Sequence, residues 1–243
     1  MKTKAKTYIL LFIITFAPFA AMAQKISLGS CTIEEQGVKG VYKGEMASGK
    51  PYGKGSALYE NGNNYEGQFV KGKRHGYGTF TFADGEKYEG EWVLGQQNGR
   101  GTYYFSNNNK YVGLWFRDYQ QGHGVMYYFN GDVYDGDWFH DMRQGHGKYT
   151  FSTGAYYDGQ WKNDKKEGKG FFDWGDGNTY RGNWLDNQRS GYGVNKYADG
   201  DVYTGDWLND IQNGKGIYKF QNGDVYEGDY VQGERTGEGI FKY

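Results

Sequence analysis

The chain has 243 residues and is rich in glycine and aromatic residues, with 42 Gly, 25 Tyr, 15 Phe and 7 Trp against only 2 Pro. This composition excludes an ordinary aliphatic core, because leucine, isoleucine and valine are scarce, and it excludes disorder, because disordered chains are poor in aromatic residues. The formal net charge of −1 excludes the strongly basic surface that nucleic-acid binding requires, so we expect no nucleic-acid partner.

Residues 1–23 are predicted to be a signal peptide. Three lysines form a basic start, an apolar run covers residues 8–20, and Ala-Met-Ala at residues 21–23 forms a cleavage site. An uncleaved membrane anchor is the alternative, but the run is shorter than the ~20 residues that a spanning helix needs. We therefore expect an exported chain that begins near Gln24 and resides in the periplasm, in the cell envelope or outside the cell.

Residues 24–41 are predicted to be a linker or a cap over one edge of the fold. Cys31 is the only cysteine, so an intrachain disulfide is impossible. Residues 28–31 (Leu-Gly-Ser-Cys) resemble a bacterial lipoprotein cleavage box, although Gln24 and Lys25 separate this box from the apolar run. Lipid anchoring through Cys31 is therefore the alternative to a free or intermolecularly paired thiol.

A period of 23 residues governs the rest of the chain. One tyrosine marks each of nine units, at Tyr42, Tyr65, Tyr88, Tyr111, Tyr134, Tyr157, Tyr180, Tyr203 and Tyr226. Within a unit the pattern alternates with a period of two, which is typical of β-strands. The tyrosine, a glycine two residues later and a tryptophan four residues later are predicted to share one face of the first strand.

Each second strand repeats this alternation with a glycine followed by two aromatic residues, as in Gly101, Tyr103 and Phe105. Glycine weakens a strand unless another group approaches the backbone closely. We therefore expect the ring of a neighbouring aromatic residue to lie across each bare glycine, so that a single sheet forms a dense aromatic layer.

Turn residues separate the strands at two positions of every unit. Between units, Asn-Gly and Asp-Gly pairs such as Asn61-Gly62 and Asp84-Gly85 favour the positive φ angles of tight turns. A second bend is predicted inside each unit, at Gly49, Gly72, Gly95, Asp118, Asp141, Asp164, Asn187, Asp210 and Gly233.

The segments Tyr88–Trp92 (Tyr-Glu-Gly-Glu-Trp) and Gly72–Gly78 (Gly-Lys-Arg-His-Gly-Tyr-Gly) resemble the two halves of the MORN (membrane occupation and recognition nexus) repeat. The resemblance covers residues 42–243. It implies an all-β fold, an elongated, twisted, single antiparallel sheet of nine stacked hairpins. The first and last units depart from the pattern, with Met46 and Tyr230 in place of tryptophan, as terminal repeats often do.

Two contact surfaces are predicted. Apolar residues interrupt the charged face of the third and fourth units, at Tyr104, Val112, Leu114, Val125 and Tyr127, and such a patch is a candidate for partner binding or self-association, unless these residues only cover one another. The last strand, Ile240, Phe241, Lys242 and Tyr243, is a candidate for edge-to-edge dimerisation, because an uncovered strand edge offers unpaired backbone groups.

No enzymatic chemistry is predicted. Carboxylates recur at repeat positions, so no single pair stands out as catalytic, and no nucleophile or phosphate-binding motif has the required context. His123 and His146 occupy equivalent positions and would lie about 10 Å apart, too far for one metal ion. We expect no cofactor and no metal.

We interpret the chain as a non-enzymatic exported scaffold with a protein partner that the sequence does not identify. Two alternatives remain. Phospholipid binding is suggested by the family resemblance and by two basic clusters, at Lys71, Lys73 and Arg74 and at Lys162, Lys165 and Lys166. Carbohydrate or cell-wall binding is suggested by exposed aromatic rings.

Overall fold

The computed structural model describes residues 25–243, which form 19 β-strands in one open antiparallel sheet and contain no helix. Accordingly, this part of the chain holds no helix that could cross a membrane. The predicted signal peptide, residues 1–23, and the predicted start at Gln24 lie outside the described residues. The all-β fold of stacked hairpins is confirmed.

Every strand pairs with the next one along the chain, so that the sheet is a simple meander. The strands are β1 (Ile26–Glu35), β2 (Val38–Ala47), β3 (Lys50–Tyr59), β4 (Asn64–Val70), β5 (Lys73–Thr81), β6 (Lys87–Val93), β7 (Gln96–Tyr104), β8 (Lys110–Phe116), β9 (Tyr119–Tyr127), β10 (Val133–Phe139), β11 (Met142–Thr150), β12 (Tyr156–Lys162), β13 (Lys165–Asp173), β14 (Thr179–Leu185), β15 (Gln188–Lys196), β16 (Val202–Leu208), β17 (Ile211–Lys219), β18 (Val225–Val231) and β19 (Glu234–Lys242).

The bends inside the units are two-residue turns with positive φ at both residues. Arg117 and Asp118 show the pattern, with φ of 50° and 70°, and Ser48 and Gly49 show it with 51° and 73°. This geometry is that of a type I′ turn, whose twist matches that of the flanking strands. The predicted bend positions are confirmed in all nine units, and we refer to these bends as the internal turns.

The turns between units are wider. In the turn from β5 to β6, Gly85 has a φ of 89°. Its N–H donates to the carbonyl of Phe82, and the Phe82 N–H donates to the carbonyl of Glu86. We refer to these bends as the connecting turns. The two kinds of turn alternate, so each occupies one long edge of the ribbon.

The prediction that rings lie over glycine is confirmed in every unit. Tyr88 is fully buried, and a Cβ on Gly101 would collide with its ring and hydroxyl. The hydroxyl donates to the carbonyl of Glu91 at 3.0 Å. The same relation holds for Tyr42 over Gly55, Tyr65 over Gly78, Tyr111 over Gly124, Tyr134 over Gly147, Tyr157 over Gly170, Tyr180 over Gly193, Tyr203 over Gly216 and Tyr226 over Gly239.

These tyrosines also join the units into one aromatic layer. The Tyr88 ring makes edge-to-face contacts with Trp92 of its own unit, at 5.1 Å between centroids, and with Trp115 of the next unit, at 5.3 Å. Tyr134 contacts Trp138 and Trp161 in the same way. Such pairs contribute about 0.5–1.5 kcal/mol each beyond the area they bury, so neighbouring units stabilise one another.

A glycine bulge bends the second strand of each unit. Gly191 in β15 has a φ of 66°, and bulges of this kind curve a strand and increase its twist. As a result, Arg189 Nη1 donates to Asn195 Oδ1 at 3.2 Å. Six residues of a straight strand span about 20 Å, further than these two side chains reach together. The bend therefore curls the aromatic face into a trough.

Residues 24–41, predicted as a linker or cap, contain β1 and the start of β2. β1 pairs with β2 along its whole length, so it is the first strand of the sheet. Cys31 lies within β1, opposite Tyr42, and its thiol is free and half-buried.

Candidate functional site

The trough on the aromatic face is the candidate binding site. It has a volume of about 910 Å³ and crosses the second to the fifth unit. Aromatic side chains from the strands and connecting turns of these units line it, namely Phe80, Phe82, Trp92, Tyr103, Phe105, Trp115, Tyr128 and Trp138. Its partly exposed rings come from several consecutive units, so they offer apolar contact area along the length of the ribbon.

One rim of the trough carries a repeated arrangement that we call the cation box. Arg143, at the second position of β11, places its guanidinium 4.3 Å above the ring of Trp161. Its Nε lies 3.0 Å from Asp164 Oδ1 in the following internal turn, and its Nη2 donates to the Asp164 carbonyl at 2.9 Å. A cation over an aromatic face and a charge-assisted hydrogen bond reinforce each other.

The same box recurs two units later. Arg189 lies 4.1 Å above Trp207, its Nε lies 3.2 Å from Asp210 Oδ1, and its Nη2 donates to the Asp210 carbonyl at 2.8 Å. The second position of the second strand in a unit is therefore a place on this rim where a guanidinium fits between a tryptophan ring and an aspartate.

Lys166 occupies the equivalent position in β13, with its ammonium 4.3 Å above Trp184. The internal turn that follows carries Asn187 in place of aspartate, and the backbone N–H of Lys166 donates to the Asn187 side-chain oxygen at 2.8 Å. Burial lowers the pKa of Lys166 to about 8, since desolvation penalises the charged form.

Two boxes in the middle of the trough lack the cation. Gln97 and Gln120 occupy its position, and the acidic residues of the following internal turns, Asp118 and Asp141, are retained. Each carboxylate accepts a backbone N–H, from Gln97 at 2.8 Å and from Gln120 at 2.7 Å. Among residues 25–243, neither carboxylate forms an ion pair. The middle of the trough is therefore its acidic part.

At the N-terminal end of the trough, a residue from outside the repeats completes a box. Arg74 lies 4.3 Å above Trp92, but the following internal turn has Gly95. Glu35, at the end of β1, supplies the carboxylate, with Oε2 3.0 Å from Arg74 Nε. Tyr59 donates to the same oxygen at 2.6 Å, and burial, followed by this hydrogen bond, raises the Tyr59 pKa. Glu35 was not predicted from the sequence; the only signal was an arginine followed by an internal turn without an acid.

The predicted apolar patch forms on the opposite face, where we call it the outer patch. Tyr104, Val112, Leu114, Val125 and Tyr127 lie on β7, β8 and β9. Val112 and Val125 are cross-strand partners. Lys110 stands between the two tyrosines in the register and lies 4.5 Å above the Tyr127 ring. The structure therefore brings all five residues together, with one lysine among them.

The predicted basic clusters do not form uniform positive surfaces. Arg74 is buried in the pair with Glu35, and Lys166 is partly buried over Trp184. Lys165 pairs with Asp186 at 2.7 Å. Exposed positive charge thus remains at Lys71 and the adjoining Lys73, at one internal turn, and at Lys162, the last residue before another internal turn four units away.

The predicted edge strand, Ile240–Tyr243, includes the end of β19, and Tyr243 is 98% exposed. Within residues 25–243, β19 pairs with β18 on one side and with no strand on the other. The described sheet therefore presents an unpaired row of backbone groups at this end.

The histidines at equivalent positions pair with acids on the neighbouring strand. His123 Nε2 lies 3.0 Å from Asp135, and His146 Nε2 lies 3.1 Å from Asp158. In the part of the chain that the structure describes, no three His, Cys, Asp or Glu side chains are grouped so that they could hold a metal ion.

An exposed apolar row along the internal turns is a feature that the sequence analysis missed. It comprises Val93, Leu94, Phe116, Tyr119, Phe139 and Met142, from three consecutive units. Leu94 lies in an internal turn and the other residues lie next to one. Phe116 pairs with Tyr119 and Phe139 pairs with Met142 across the two strands. That position was the available signal.

Nine consecutive segments match the family described as MORN repeat: residues 42–64, 65–87, 88–110, 111–133, 134–156, 157–179, 180–202, 203–225 and 226–243. The match covers residues 42–243 without a gap. A comparison with curated proteins finds no match.

Among solved structures, the TCP10 domain of Danio rerio CPAP, in complex with a peptide of Danio rerio STIL, is similar at 13% identity and a TM-score of 0.47, over 83% of this chain and 94% of that one. The TCP domain of Drosophila melanogaster SAS-4 (dCPAP), in complex with a Proline Rich Motif of Ana2 (dSTIL), is 14% identical with a TM-score of 0.40, over 63% of this chain and 83% of that one. Likenesses at this level carry no inference about function.

Proposed function

The chain belongs to the MORN repeat family, and we propose that it is a non-enzymatic scaffold that binds an extended segment of a protein partner along the aromatic trough. One observation carries this proposal: the trough crosses four units and keeps rings such as Phe82, Phe105 and Tyr128 partly exposed on a rigid sheet. Aromatic rings that are already ordered gain contact area on binding at little further cost in entropy.

A site-specific crosslink tests this proposal. A photoreactive phenylalanine analogue placed at Phe105, inside the trough, should capture a bound partner segment, whereas the same analogue at Tyr192, on the opposite face, should not. Mass spectrometry of the crosslinked peptide identifies the segment. Equal capture at both positions, or capture at Tyr192 alone, would refute binding in the trough.

Export completes the proposed function. The basic start, the apolar run and the Ala-Met-Ala site at residues 21–23 support cleavage before Gln24. Cleavage at Cys31, as in a lipoprotein, would remove the first half of β1 and with it part of the pairing to β2. Determination of the N-terminal residue of the protein recovered from the cell envelope distinguishes these two sites.

Binding to a membrane surface is a second candidate function. The apolar row at Phe116, Tyr119 and Phe139 supports it, because aromatic side chains at hairpin tips suit the membrane interface, and Lys71 and Lys162 flank the row. Sedimentation with vesicles that contain an anionic phospholipid tests it. Binding that is lost in a Phe116→Ser/Phe139→Ser variant would support this role, and absence of binding would exclude it.

Two further functions are candidates. One is self-association, through β19 or through the outer patch. The other is glycan binding by exposed aromatic rings. An unpaired strand edge favours pairing with a second copy, and exposed β19 supports that arrangement. Measurement of the molar mass over a range of concentrations tests self-association, and a glycan pull-down tests sugar binding. A constant monomer mass would exclude a dimer at those concentrations.

A further inference from the structure

The two cation boxes halfway along the trough differ in charge from the other boxes on the same rim, and this difference indicates the kind of ligand that binds there. In the boxes of Arg143 and Arg189 the chain supplies both the cation and the acid. In the boxes of Gln97 and Gln120 it supplies only the acids, Asp118 and Asp141. The trough therefore holds two carboxylates without a cationic partner among the described residues, between the neutralised pairs of Glu35 with Arg74 and Asp164 with Arg143.

Two buried amides mark the same place independently. Gln97 and Gln120 are 6% and 5% exposed, and both line the trough. Neither side-chain amide has a hydrogen-bond partner within residues 25–243. Their amide atoms are not among the fully enclosed polar atoms, so they face the open trough, where they are positioned to bond a ligand.

The repeat shows why these amides have no partner. Gln212 occupies the same position in a later unit, and its amide donates to the hydroxyl of Tyr197 at 3.1 Å. The residues equivalent to Tyr197 are Phe82 for Gln97 and Phe105 for Gln120. A phenylalanine has no hydroxyl, so the partner that the repeat provides elsewhere is replaced here by an apolar ring that lines the trough.

From these observations we propose that the middle of the trough is a specificity site for arginine side chains of the partner segment. A guanidinium has five N–H donors and matches a carboxylate beside an amide oxygen, and it stacks on aromatic rings. The boxes of Arg143 and Arg189 show this chemistry with the chain's own residues. This inference rests on the proposed binding of a segment in the trough and specifies what the segment carries.

The spacing of the two sites defines the segment further. Equivalent positions in consecutive units are two strands, or about 9.6 Å, apart. A polyproline II segment rises about 9.3 Å over three residues, and residues three apart return to the same side. The two carboxylates therefore match two arginines separated by two residues, in an extended segment that runs along the ribbon.

Fluorescence anisotropy with the full chain tests the inference. The probe is a labelled peptide with an Arg-Pro-Pro-Arg core, and the comparison peptides carry glutamine or glutamate in place of both arginines. We expect the arginine peptide to bind at least about tenfold more tightly than either, and more weakly as the salt concentration rises. Equal binding of the arginine and glutamine peptides would overturn the inference.

Two pairs of variants locate the site. Asp118→Asn/Asp141→Asn should weaken binding of the arginine peptide about tenfold, whereas Asp84→Asn/Asp199→Asn, with the same change of charge in two connecting turns, should not. Gln97→Arg/Gln120→Arg should block binding, because the chain then supplies both cations, and far-UV circular dichroism should show an unchanged sheet. Unchanged binding in the Asp118→Asn/Asp141→Asn variant contradicts the site.

The outcomes separate the inference from the proposed function. If a glutamine peptide binds as tightly and crosslinks to the photoreactive analogue at Phe105, the trough binds segments but does not select arginine, and the inference alone fails. If no peptide or partner segment crosslinks at Phe105, both fail.

Discussion

Glu35 and Arg74 form an ion pair in which Arg74 is buried, the Glu35 side chain is only 13% exposed, and the charged atoms lie 3.0 Å apart. Removal of one partner from a buried pair leaves an uncompensated charge. We expect Glu35→Gln to lower the free energy of unfolding by about 3 kcal/mol, measured by denaturant titration. Gly95→Asp should restore most of this loss, because it places a carboxylate in the turn, as Asp164 does beside Arg143. If Glu35→Gln/Gly95→Asp were no more stable than Glu35→Gln, the stabilisation by Glu35 would not come from its charge beside Arg74.

Gly101 should not tolerate a side chain. A Cβ at this position would collide with the Tyr88 ring, and insertion of atoms into a packed layer costs about 1–3 kcal/mol. Gly101→Ala should therefore lower the melting temperature. Gly29→Ala is the control, because its Cβ would meet only the flexible side chain of Met46. Equal effects of the two substitutions would contradict the role of the ring.

Stability should decrease at alkaline pH. Burial raises the pKa of Tyr42 and of Tyr180 to about 12, and it raises the pKa of the equivalent Tyr65, Tyr88, Tyr111, Tyr134, Tyr157 and Tyr203. Above about pH 10 the unfolded chain releases these phenolic protons and the folded chain retains them. The stabilisation is complete below that pH and is lost as the pH rises towards the folded values.

Denaturant titrations between about pH 9 and about pH 12 measure this loss, with tyrosinate absorbance recorded alongside. Lys166 has the opposite effect on stability, because folding lowers its pKa to about 8. Between about pH 8 and about pH 10 the unfolded chain keeps a proton that the folded chain has released. This residue alone would therefore make the free energy of unfolding rise with pH in that range. A free energy of unfolding that keeps rising above about pH 11 would contradict the dominance of the tyrosines.

The outer patch should govern association through the charged face. Leu114→Lys/Val125→Lys places two charges in the patch, and we expect weaker self-association or partner binding with an unchanged circular dichroism spectrum. Val194→Lys, at the position equivalent to Val125 in the seventh unit, is the control. Association that is the same in all three proteins would show that Leu114 and its neighbours only cover one another.

Stability should be distributed over the units. Deletion of residues 157–179 removes one complete unit and joins two equivalent positions, so the neighbouring tyrosine and tryptophan contacts can form again. Because repeat stability is a sum of unit and neighbour terms, we expect a folded chain with a lower free energy of unfolding. Loss of the β-sheet spectrum in this variant would show instead that the nine units depend on one shared core.

Most of the fold was predictable because its determinants lie close together along the chain. The 23-residue period, the turn residues such as Asp118, and the pairing of Tyr88 with Gly101 follow from alternation and from backbone sterics within one unit and its neighbour. The glycine bulges were not predicted. Gly99 and Gly101 look alike in sequence, yet only Gly99 has a positive φ, of 61°.

The candidate site could not be predicted to the same depth. The contact between Gln97 and Asp118 joins residues 21 positions apart, and that between Glu35 and Arg74 joins a residue outside the repeats to one inside them. Arg143 and Gln120 each lie beside an aspartate of the following internal turn, and the alternation pattern within one unit contains no information about that contact between units.

The sequence by itself determined the number of units, the face of each aromatic residue and the position of each turn, because these depend on local backbone geometry repeated nine times. Only the tertiary structure decided that the aromatic face is a trough, that Glu35 neutralises Arg74, and that Asp118 and Asp141 have no cationic partner among residues 25–243. The physical reason is that curvature accumulates from small bends in every strand, and it brings together charges whose separation along the chain gives no indication of their contact.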